Sequence, residues 1–252
     1  MMRRVLAVLA LSAALAPAQE PKILVYTRNY TPDGKGYVHD NIAASIAAIR
    51  KMGAAGGFAV DACDDPNVFT VANLKQYRAL VFSNSNNQAF ESDSQREAFR
   101  AFIRSGGGFV GIHSASGSER DWDYYQKVLG AKFRRHPKLQ PFSVEVVDPN
   151  FPAARGLPAS FQWEDECYYV EKLQPDVKPV LETDPRKIVD PQFAADPGDL
   201  IDGMRPLAWY HTFDGGREFY LALGHKKEDY ENPILTRLIL GGIQWAMGEG
   251  RK

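Results

Sequence analysis

Gly106-Gly-Gly-Phe-Val-Gly-Ile-His-Ser114 is the stretch of sequence from which the fold can be read. A glycine run leads into the apolar residues 109–112, and small residues follow them, which is the pattern of a buried parallel strand that ends in a tight turn. In open α/β sheets ligands bind at the carboxyl ends of the strands, where a sharp elbow presents one side chain. We therefore predict that His113 stands at such an elbow, as a base, an acid or a metal ligand.

The residues before this stretch alternate between strand and helix patterns. Between residues 42 and 52 apolar side chains recur at intervals of three and four, which predicts an amphipathic helix. Ser92 and Gln95 have the spacing of a capping box for a second helix. Apolar runs of strand length lie at 22–27, 58–62 and 77–83. Strands that alternate with helices predict a doubly wound parallel sheet, with the strand of His113 near its centre.

The residues after His113 have a different texture. A short helix is predicted over 122–129, and a final helix begins at Asn232-Pro233. Strands separated by proline-rich loops are predicted at 142–147, 161–170, 177–183, 207–213 and 218–223. The sequence contains neither an internal repeat nor a linker long enough to separate domains, so a single domain over residues 19–252 is predicted.

Residues 1–18 have the pattern of a secretory signal peptide. Arg3 and Arg4 precede an apolar run that is too short to span a bilayer, and Ala16-Pro-Ala18 fits a cleavage site. We therefore predict export to the periplasm or the extracellular space. The formal net charge of −1 would become −3 when the two arginines are removed. This weak charge indicates neither a nucleic acid nor an anionic membrane as a partner.

Two cysteines, Cys63 and Cys167, remain in the predicted exported chain. An oxidising compartment permits a disulfide between them, but their spacing does not indicate one. Cys63 ends a strand-like run, which favours an inert buried thiol. Because neither cysteine has another nearby in sequence, a cysteine-based zinc site is not expected.

The five histidines lie at predicted loops or element ends, which favours a shared cleft over scattered core positions. They are His39, His113, His136, His211 and His225. The alternative for each one is a surface imidazole or one with a structural hydrogen bond. Three histidines that converge with a carboxylate would suit zinc or a similar divalent ion, although a local motif such as H-E-x-x-H is missing.

The acidic run Glu164-Asp165-Glu166 lies inside the strand predicted over 161–170. Strand alternation points Glu164 and Glu166 to one face and Asp165 to the other, so at least one carboxylate meets a partly buried face. A buried carboxylate needs a cation, a metal or hydrogen-bond donors. The alternative is an exposed edge strand with solvated charges.

Aromatic residues with polar edges cluster near the same positions. Rings of this kind stack on sugar faces, although any one of them could be a core residue. The predicted substrate-binding residues are Tyr30, His39, Trp122, Tyr168, Trp209 and His211.

Four motifs together resemble the trehalose-utilisation (ThuA-like) family from about residue 23 to the end of the chain. They are Gly106–Ser114, Leu129-Gly-Ala-Lys-Phe133 with His136-Pro137, Asp165-Glu166 with Tyr168, and Gly216-Arg217 with Leu223-Gly-His225. The resemblance implies a flavodoxin-like, class I glutamine amidotransferase-like fold in which a histidine replaces the nucleophilic cysteine. It also implies a place in carbohydrate metabolism, with 3-keto-glycosides as candidate substrates. Phe151-Pro152 departs from the family pattern, where a second His-Pro is common.

These observations predict an exported enzyme that acts on a sugar or a 3-keto-glycoside by acid–base chemistry. The predicted catalytic residues are His113, Glu166 and His225, and the predicted metal ligands are His113, His136 and His225. The alternative is a non-catalytic carbohydrate-binding or accessory domain. Glutamine amidotransfer ranks below both, because Cys63 and Cys167 lie outside the elbow.

Overall fold

A sheet of nine strands is the centre of the fold. The computed structural model describes residues 20–248, so the predicted signal peptide lies outside the described residues. The strands are β1 Lys22–Tyr26, β2 Asn29–Tyr30, β3 Ala59–Cys63, β4 Ala79–Ser83, β5 Asn86–Asn87, β6 Gly108–Ile112, β7 Lys132–Arg135, β8 Gln140–Val146, β9 Ser160–Asp165, β10 Tyr169–Glu171, β11 Lys178–Thr183, β12 Arg205–Phe213 and β13 Gly216–Leu221. The helices are α1 Ile42–Gly56, α2 Val71–Leu74, α3 Asp93–Arg104, α4 Asp123–Leu129 and α5 Pro233–Ala246.

The strand order of the large sheet is β3-β1-β4-β6-β13-β12-β11-β8-β9. The first five strands in this order run parallel, and the remaining four extend the sheet in antiparallel pairs. The chain passes from β1 to β3 on one side and then to β4 on the other, so the strand order reverses beside β1. Such a reversal opens a crevice at the carboxyl ends of the strands.

Both faces of the parallel strands are buried, as the alternating strands and helices predict. In β1, Ile23 and Val25 belong to a core cluster that contains residues of α1 and α5. Leu24 and Tyr26 belong to a second cluster that contains residues of α3 and α4. Because successive side chains point to opposite faces, one apolar run is covered by helices on both sides. The predicted class I glutamine amidotransferase-like α/β fold is therefore confirmed.

The glycine run before β6 has two structural tasks. Gly106 ends the turn after α3 with φ +90°, a left-handed conformation that favours glycine. At Gly108, a Cβ atom would lie 2.4 Å from the carbonyl oxygen of Ala246, at the end of α5. The run therefore both turns the chain and lets α5 pass close to the central strand.

The structure corrects two details of the predicted elements. The strand predicted over 161–170 is divided into β9 and β10, and Glu166 lies between them rather than in a strand. His211, predicted at an element end, lies inside β12.

Cys63 and Cys167 are both free thiols. Cys63 is half-buried rather than buried, whereas Cys167 is fully buried. Across residues 20–248, no helix combines the length and apolar character needed to span a membrane.

Candidate active site

His113 stands at the strand-to-helix elbow that the sequence predicts. Ile112 is still extended, with φ −120°, whereas His113 has φ +51° and begins a 3₁₀ helix over His113–Gly117. A left-handed non-glycine residue costs of order 1–3 kcal/mol, and such residues cluster at functional sites. The His113 Nδ1 atom lies 2.8 Å from the carbonyl oxygen of Ala222. Because a carbonyl can only accept, Nδ1 carries the proton, and the lone pair of Nε2 faces the other way.

Two further histidines reach Nε2 of His113 from the carboxyl ends of neighbouring parallel strands. His39, in the connection between β1 and α1, places its Nε2 atom 3.1 Å away. His225, which follows β13, places its Nδ1 atom 3.3 Å away. The parallel sheet therefore brings together three histidines that are far apart in sequence.

The antiparallel part of the sheet contributes the carboxylate and a phenol. Glu166 Oε2 lies 3.3 Å from Nδ1 of His225 and 3.7 Å from Nε2 of His113. The other oxygen, Oε1, lies 3.5 Å from Nδ1 of His136. The Tyr168 hydroxyl donates to Nε2 of His113 at 3.0 Å. We name His39, His113, Glu166 and His225 the histidine–glutamate cluster.

Burial and pairing give the members of this cluster different protonation states. Burial lowers the pKa of both His39 and His113 to about 3, so both rings are neutral at physiological pH. The hydrogen bond to Glu166 raises the pKa of His225. Burial opposes the ionisation of Glu166, but the hydrogen bond from His225 and Coulombic attraction within the site lower its pKa overall. The cluster therefore combines two neutral imidazoles with a His225–Glu166 pair that favours the charged form.

The histidine–glutamate cluster also has the donor set of a divalent metal site. Its four ligand atoms all lie within 4.8 Å of one another. Neutral imidazole nitrogens and a carboxylate oxygen are the ligands that zinc prefers outside thiolate sites. This set contains two of the three predicted ligands, His113 and His225. The set has His39 and Glu166 in place of the predicted ligand His136. His136 lies outside the set, and its Nδ1 atom is 2.8 Å from the carbonyl oxygen of Pro137.

Two buried side chains hold the backbone of His225 from opposite sides. Asp165 Oδ2 accepts from the N–H groups of Gly224 and His225, at 2.8 and 3.4 Å. Asn41 Nδ2 donates to the carbonyl oxygens of the same two residues, at 2.7 and 2.8 Å. Asp165 follows from the acidic run, but sequence reasoning missed Asn41, because an asparagine at a helix start is ordinarily a cap. We name Asn41 and Asp165 the loop clamp.

A cavity of about 300 Å³ opens above the cluster. Its lining includes four of the predicted site residues, His39, His136, Glu166 and Tyr168. Tyr30 and Trp122 line a neighbouring cavity of about 440 Å³. His113 is fully buried beneath the first cavity, so its ring supports the cluster from below.

The structure does not bring Trp209 and His211 to either cavity. Both lie on the face of β12 that packs against α4, where Trp209 donates to Leu129 O at 2.8 Å and His211 contacts Val128 O at 2.9 Å. Both are buried, and His211 reaches Asp176 at 3.4 Å with its other nitrogen. Their predicted contact with substrate is therefore not supported, because these polar atoms serve the packing of α4.

The fold and the elbow define the class of protein. It has a class I glutamine amidotransferase-like sheet with an imidazole, that of His113, at the strand-to-helix elbow. A thiolate is missing there, since Cys63 ends β3 and burial raises the pKa of Cys167 to about 12.

Comparison with known proteins identifies the family. The sequence profile of the ThuA family, described as trehalose utilisation, matches residues 22–246, and the chain belongs to this family. No functionally curated protein matches the chain.

Solved structures support the same fold. A ThuA-like protein from Bacteroides uniformis is 24% identical, with a TM-score of 0.71, over 94% of this chain and 95% of that one. A ThuA-like protein from Parabacteroides merdae is 18% identical, with a TM-score of 0.70, over 93% of each chain. A β-galactosidase from Rahnella sp. R3 is 16% identical, with a TM-score of 0.58, over 92% of this chain and 32% of that one.

Proposed function

We propose that this protein is an exported enzyme that cleaves a sugar glycoside, or its 3-keto form, by acid–base chemistry at the histidine–glutamate cluster. The observation that carries the proposal is the convergence of four ligand atoms within 4.8 Å beside a cavity at the carboxyl edge of the sheet. Membership of a trehalose-utilisation family supports a carbohydrate as the substrate class. Export rests on the signal-peptide pattern of residues 1–18.

A 3-keto-glycoside needs no covalent nucleophile for its cleavage. The carbonyl at C3 acidifies the hydrogen on C2, so a base can take that proton while the C1–C2 double bond forms and the C1–O bond breaks. The departing oxygen takes a proton and leaves as an alcohol. Addition of water across the double bond then returns a proton to C2 and a hydroxyl to C1, so the net reaction is hydrolysis with the keto group retained.

We divide this chemistry among residues of different exposure. Glu166 lines the cavity, and its lowered pKa keeps it ionised, so it is the base that we propose for the C2 proton. His225, whose pKa is raised, is the proposed donor to the departing oxygen. His113, neutral and fully buried, positions His225, because its Nε2 atom accepts from Nδ1 of His225 at 3.3 Å.

The same residues fit a divalent ion, for which His39, His113 and His225 would be the holding imidazoles. Such an ion would supply Lewis acidity at the keto oxygen and would take Glu166 as its carboxylate ligand, so the base role of Glu166 belongs to the metal-free site. Metal content after purification without added ions tests this part. A stoichiometric ion whose removal by a chelator abolishes activity would support it, whereas full activity of metal-free protein would contradict it.

The decisive experiment is turnover on a panel of disaccharides and glycosides in their ordinary and 3-keto forms. We expect release of the free alcohol by the wild-type protein and not by Glu166→Gln. Saturable binding without conversion of any member would instead support a non-catalytic carbohydrate-binding or accessory domain. The export proposal is checked separately, by the amino-terminal sequence of the secreted protein, which should begin at Gln19.

A further inference from the structure

The second cavity adjoins the first, and the two share a wall. Arg120 lines both cavities, and the neighbouring residues Asn86 and Asn87 line one each. The segment after β2 also borders both, with Thr31 and Pro32 at the second cavity and Tyr37 and His39 at the first. The two cavities are therefore adjacent parts of one cleft along the carboxyl edge of the sheet.

The division of volume between the cavities favours a substrate of two parts. Ligand pockets usually measure roughly 300–1,000 Å³. The first cavity, at about 300 Å³, is at the lower limit of this range and suits one ring beside the histidine–glutamate cluster. The second cavity, at about 440 Å³, is larger and lies away from the cluster residues.

The second cavity has the mixed chemistry that polyhydroxylated rings require. Tyr30 and Trp122 provide aromatic surface, and Arg96 and Arg120 provide donors. The acidic residues Glu119 and Asp121 balance the two arginines, so the cavity is not an anion site by charge.

Asn87 lines this cavity and carries an unused donor, which faces Gly36 in the segment after β2. Its Nδ2 atom is buried and has no hydrogen-bond partner among the described residues. Glu119, by contrast, is fully used, because its carboxylate accepts from the N–H groups of Ala89 and Phe90 and pairs with Arg96 at 2.9 Å. An orphaned buried amide next to a cavity points to a group from outside the chain, since an unpaired buried donor destabilises the fold.

We infer that the second cavity is the subsite for the leaving part of the glycoside, either a second sugar ring or a ring-shaped aglycone. This inference rests on the proposed function, because the first cavity is assigned there to the ring that reacts. A turn of the Asn87 side chain brings its amide to a hydroxyl or ether oxygen of the leaving part, and Arg120 lies at the boundary between the two rings. Arg120 is held there by Gly117 O at 3.0 Å and Asn86 Oδ1 at 3.3 Å. The protein therefore selects disaccharides and aryl glycosides over glycosides of small alcohols.

The test compares Asn87→Gly with the wild type. Asn87 has φ +61°, so glycine removes the amide at a backbone conformation that glycine prefers, and the variant folds. Asp202→Gly is the matched control, because Asp202 is also left-handed, at φ +49°, but is exposed and lines neither cavity. Thermal melting confirms the folding of both variants.

The probes are trehalose and methyl α-glucoside, each in its ordinary and 3-keto form, with affinities measured by calorimetry in proteins that also carry Glu166→Gln, so that no probe is converted. We expect the wild type to bind the disaccharide more tightly, and Asn87→Gly to reduce the affinity ratio between disaccharide and methyl glycoside by about 10-fold, the ordinary effect of one buried hydrogen bond. Asp202→Gly should keep the wild-type ratio.

Three results would overturn the inference. Equal affinity of the wild type for both members of a pair, or an unchanged ratio in Asn87→Gly, would show that the second cavity is not a sugar subsite. Tighter binding of glucose 6-phosphate than of the disaccharide would show an anion site. Because binding is measured without turnover, loss of catalysis in the panel described above would contradict the proposed function while these affinities still report on the subsite.

Discussion

The two ends of β13 each have a buried carboxylate, and the two differ in the number of donors they receive. Beyond the carboxyl end, Asp165 accepts from Trp163 Nε1 and from the N–H groups of Glu166, Gly224 and His225. Near the amino end, Glu218 accepts from the N–H group of Phe213, and its Oε1 atom has no partner in the described part of the chain. Both side chains are almost completely buried.

The difference shows how donors decide what a buried carboxylate does. Burial raises the pKa of Asp165 to about 6, against the lowering effect of its N–H donors, so Asp165 is ionised at pH 7–8. Burial raises the pKa of Glu218 to about 9, so Glu218 is protonated over the same range. The ionised carboxylate organises the loop of His225, whereas the protonated one is a local packing element. The carboxyl end of β13 is therefore the end at which we place the proposed function.

The largest expected effect on activity comes from removing the His113 side chain, at the centre of the histidine–glutamate cluster. His113→Ala should lower kcat/KM by about 10²–10⁴-fold, the range for loss of a group that supports acid–base catalysis. Because His113 is fully buried and its ring lies 4.3 Å from that of Tyr168, we expect a stability loss of about 1–3 kcal/mol as well. If His113 is a metal ligand, bound metal falls together with activity.

Steady-state kinetics on a converted glycoside, with unfolding in urea, separates the two effects. Glu218→Gln is the control at the other end of β13 and should keep its activity at neutral pH. Near-normal turnover by His113→Ala would contradict a catalytic centre at the elbow.

The next largest effect on activity is expected from Glu166, and it can be compared with Glu164 in the same acidic run. Glu166→Gln should lower kcat by about 10–10³-fold, because neutralisation removes the base while its shape is kept. Glu164→Gln should change kcat less than about 2-fold, since Glu164 is exposed and lies 3.8 Å from Lys226, in a pair of the kind that contributes little. Equal, small losses in both variants, measured on the same substrate, would show that the run is surface charge.

Asp165→Asn weakens the loop clamp but changes no side chain of the histidine–glutamate cluster. The amide turns one acceptor oxygen into a donor that faces N–H groups, so at least one buried N–H loses its partner, at a cost of about 1–3 kcal/mol. We expect lower activity together with faster hydrogen exchange at the amides of Gly224 and His225. Slow exchange at both amides with full stability would show that Asp165 does not position the loop. Trp163→Phe is the control, because it removes a donor to Asp165 that lies outside the loop.

The smallest effect on activity is expected at the amino end of β13. There the expected change is a pH dependence of stability. The folded-state pKa of Glu218 lies above its unfolded value, so the folded protein holds one more proton between about pH 5 and 8. Its contribution to stability is complete below the unfolded pKa and declines as pH rises, by up to ~1.4 kcal/mol per pH unit. Glu218→Gln should remove this slope from urea unfolding measured between pH 5 and 8. An unchanged slope would assign the dependence to other groups.

Much of the fold follows from local patterns. The run Ile23–Tyr26 predicts a strand buried on both faces, and the glycine run before Phe109 predicts the turn and the elbow, because these features depend on near neighbours in the chain. His39, His113 and His225 could be predicted to converge, since parallel strands bring their carboxyl ends to one edge.

The remainder depends on tertiary contacts that one sequence does not encode locally. Strand alternation placed Glu166 on the same face as Glu164, but the chain leaves the ladder at Asp165, where backbone donors from another loop are available. Trp209 and His211 were predicted to contact substrate, yet α4 covers the face of β12 on which they lie. The contact between Asn41 and the loop of His225 cannot be predicted locally. The acceptors of Asn41 lie more than 180 positions away, at Gly224 and His225.

The left-handed backbone of His113 also sets which amino acids can replace it over evolutionary time. At φ +51° glycine and asparagine are tolerated best, while valine and isoleucine are excluded by their branched Cβ atoms. Glycine or asparagine would relieve the left-handed backbone but lose the packing of the buried ring. Retention of histidine at this position in a lineage would therefore mean that the ring itself is selected, for its packing, its chemistry or both.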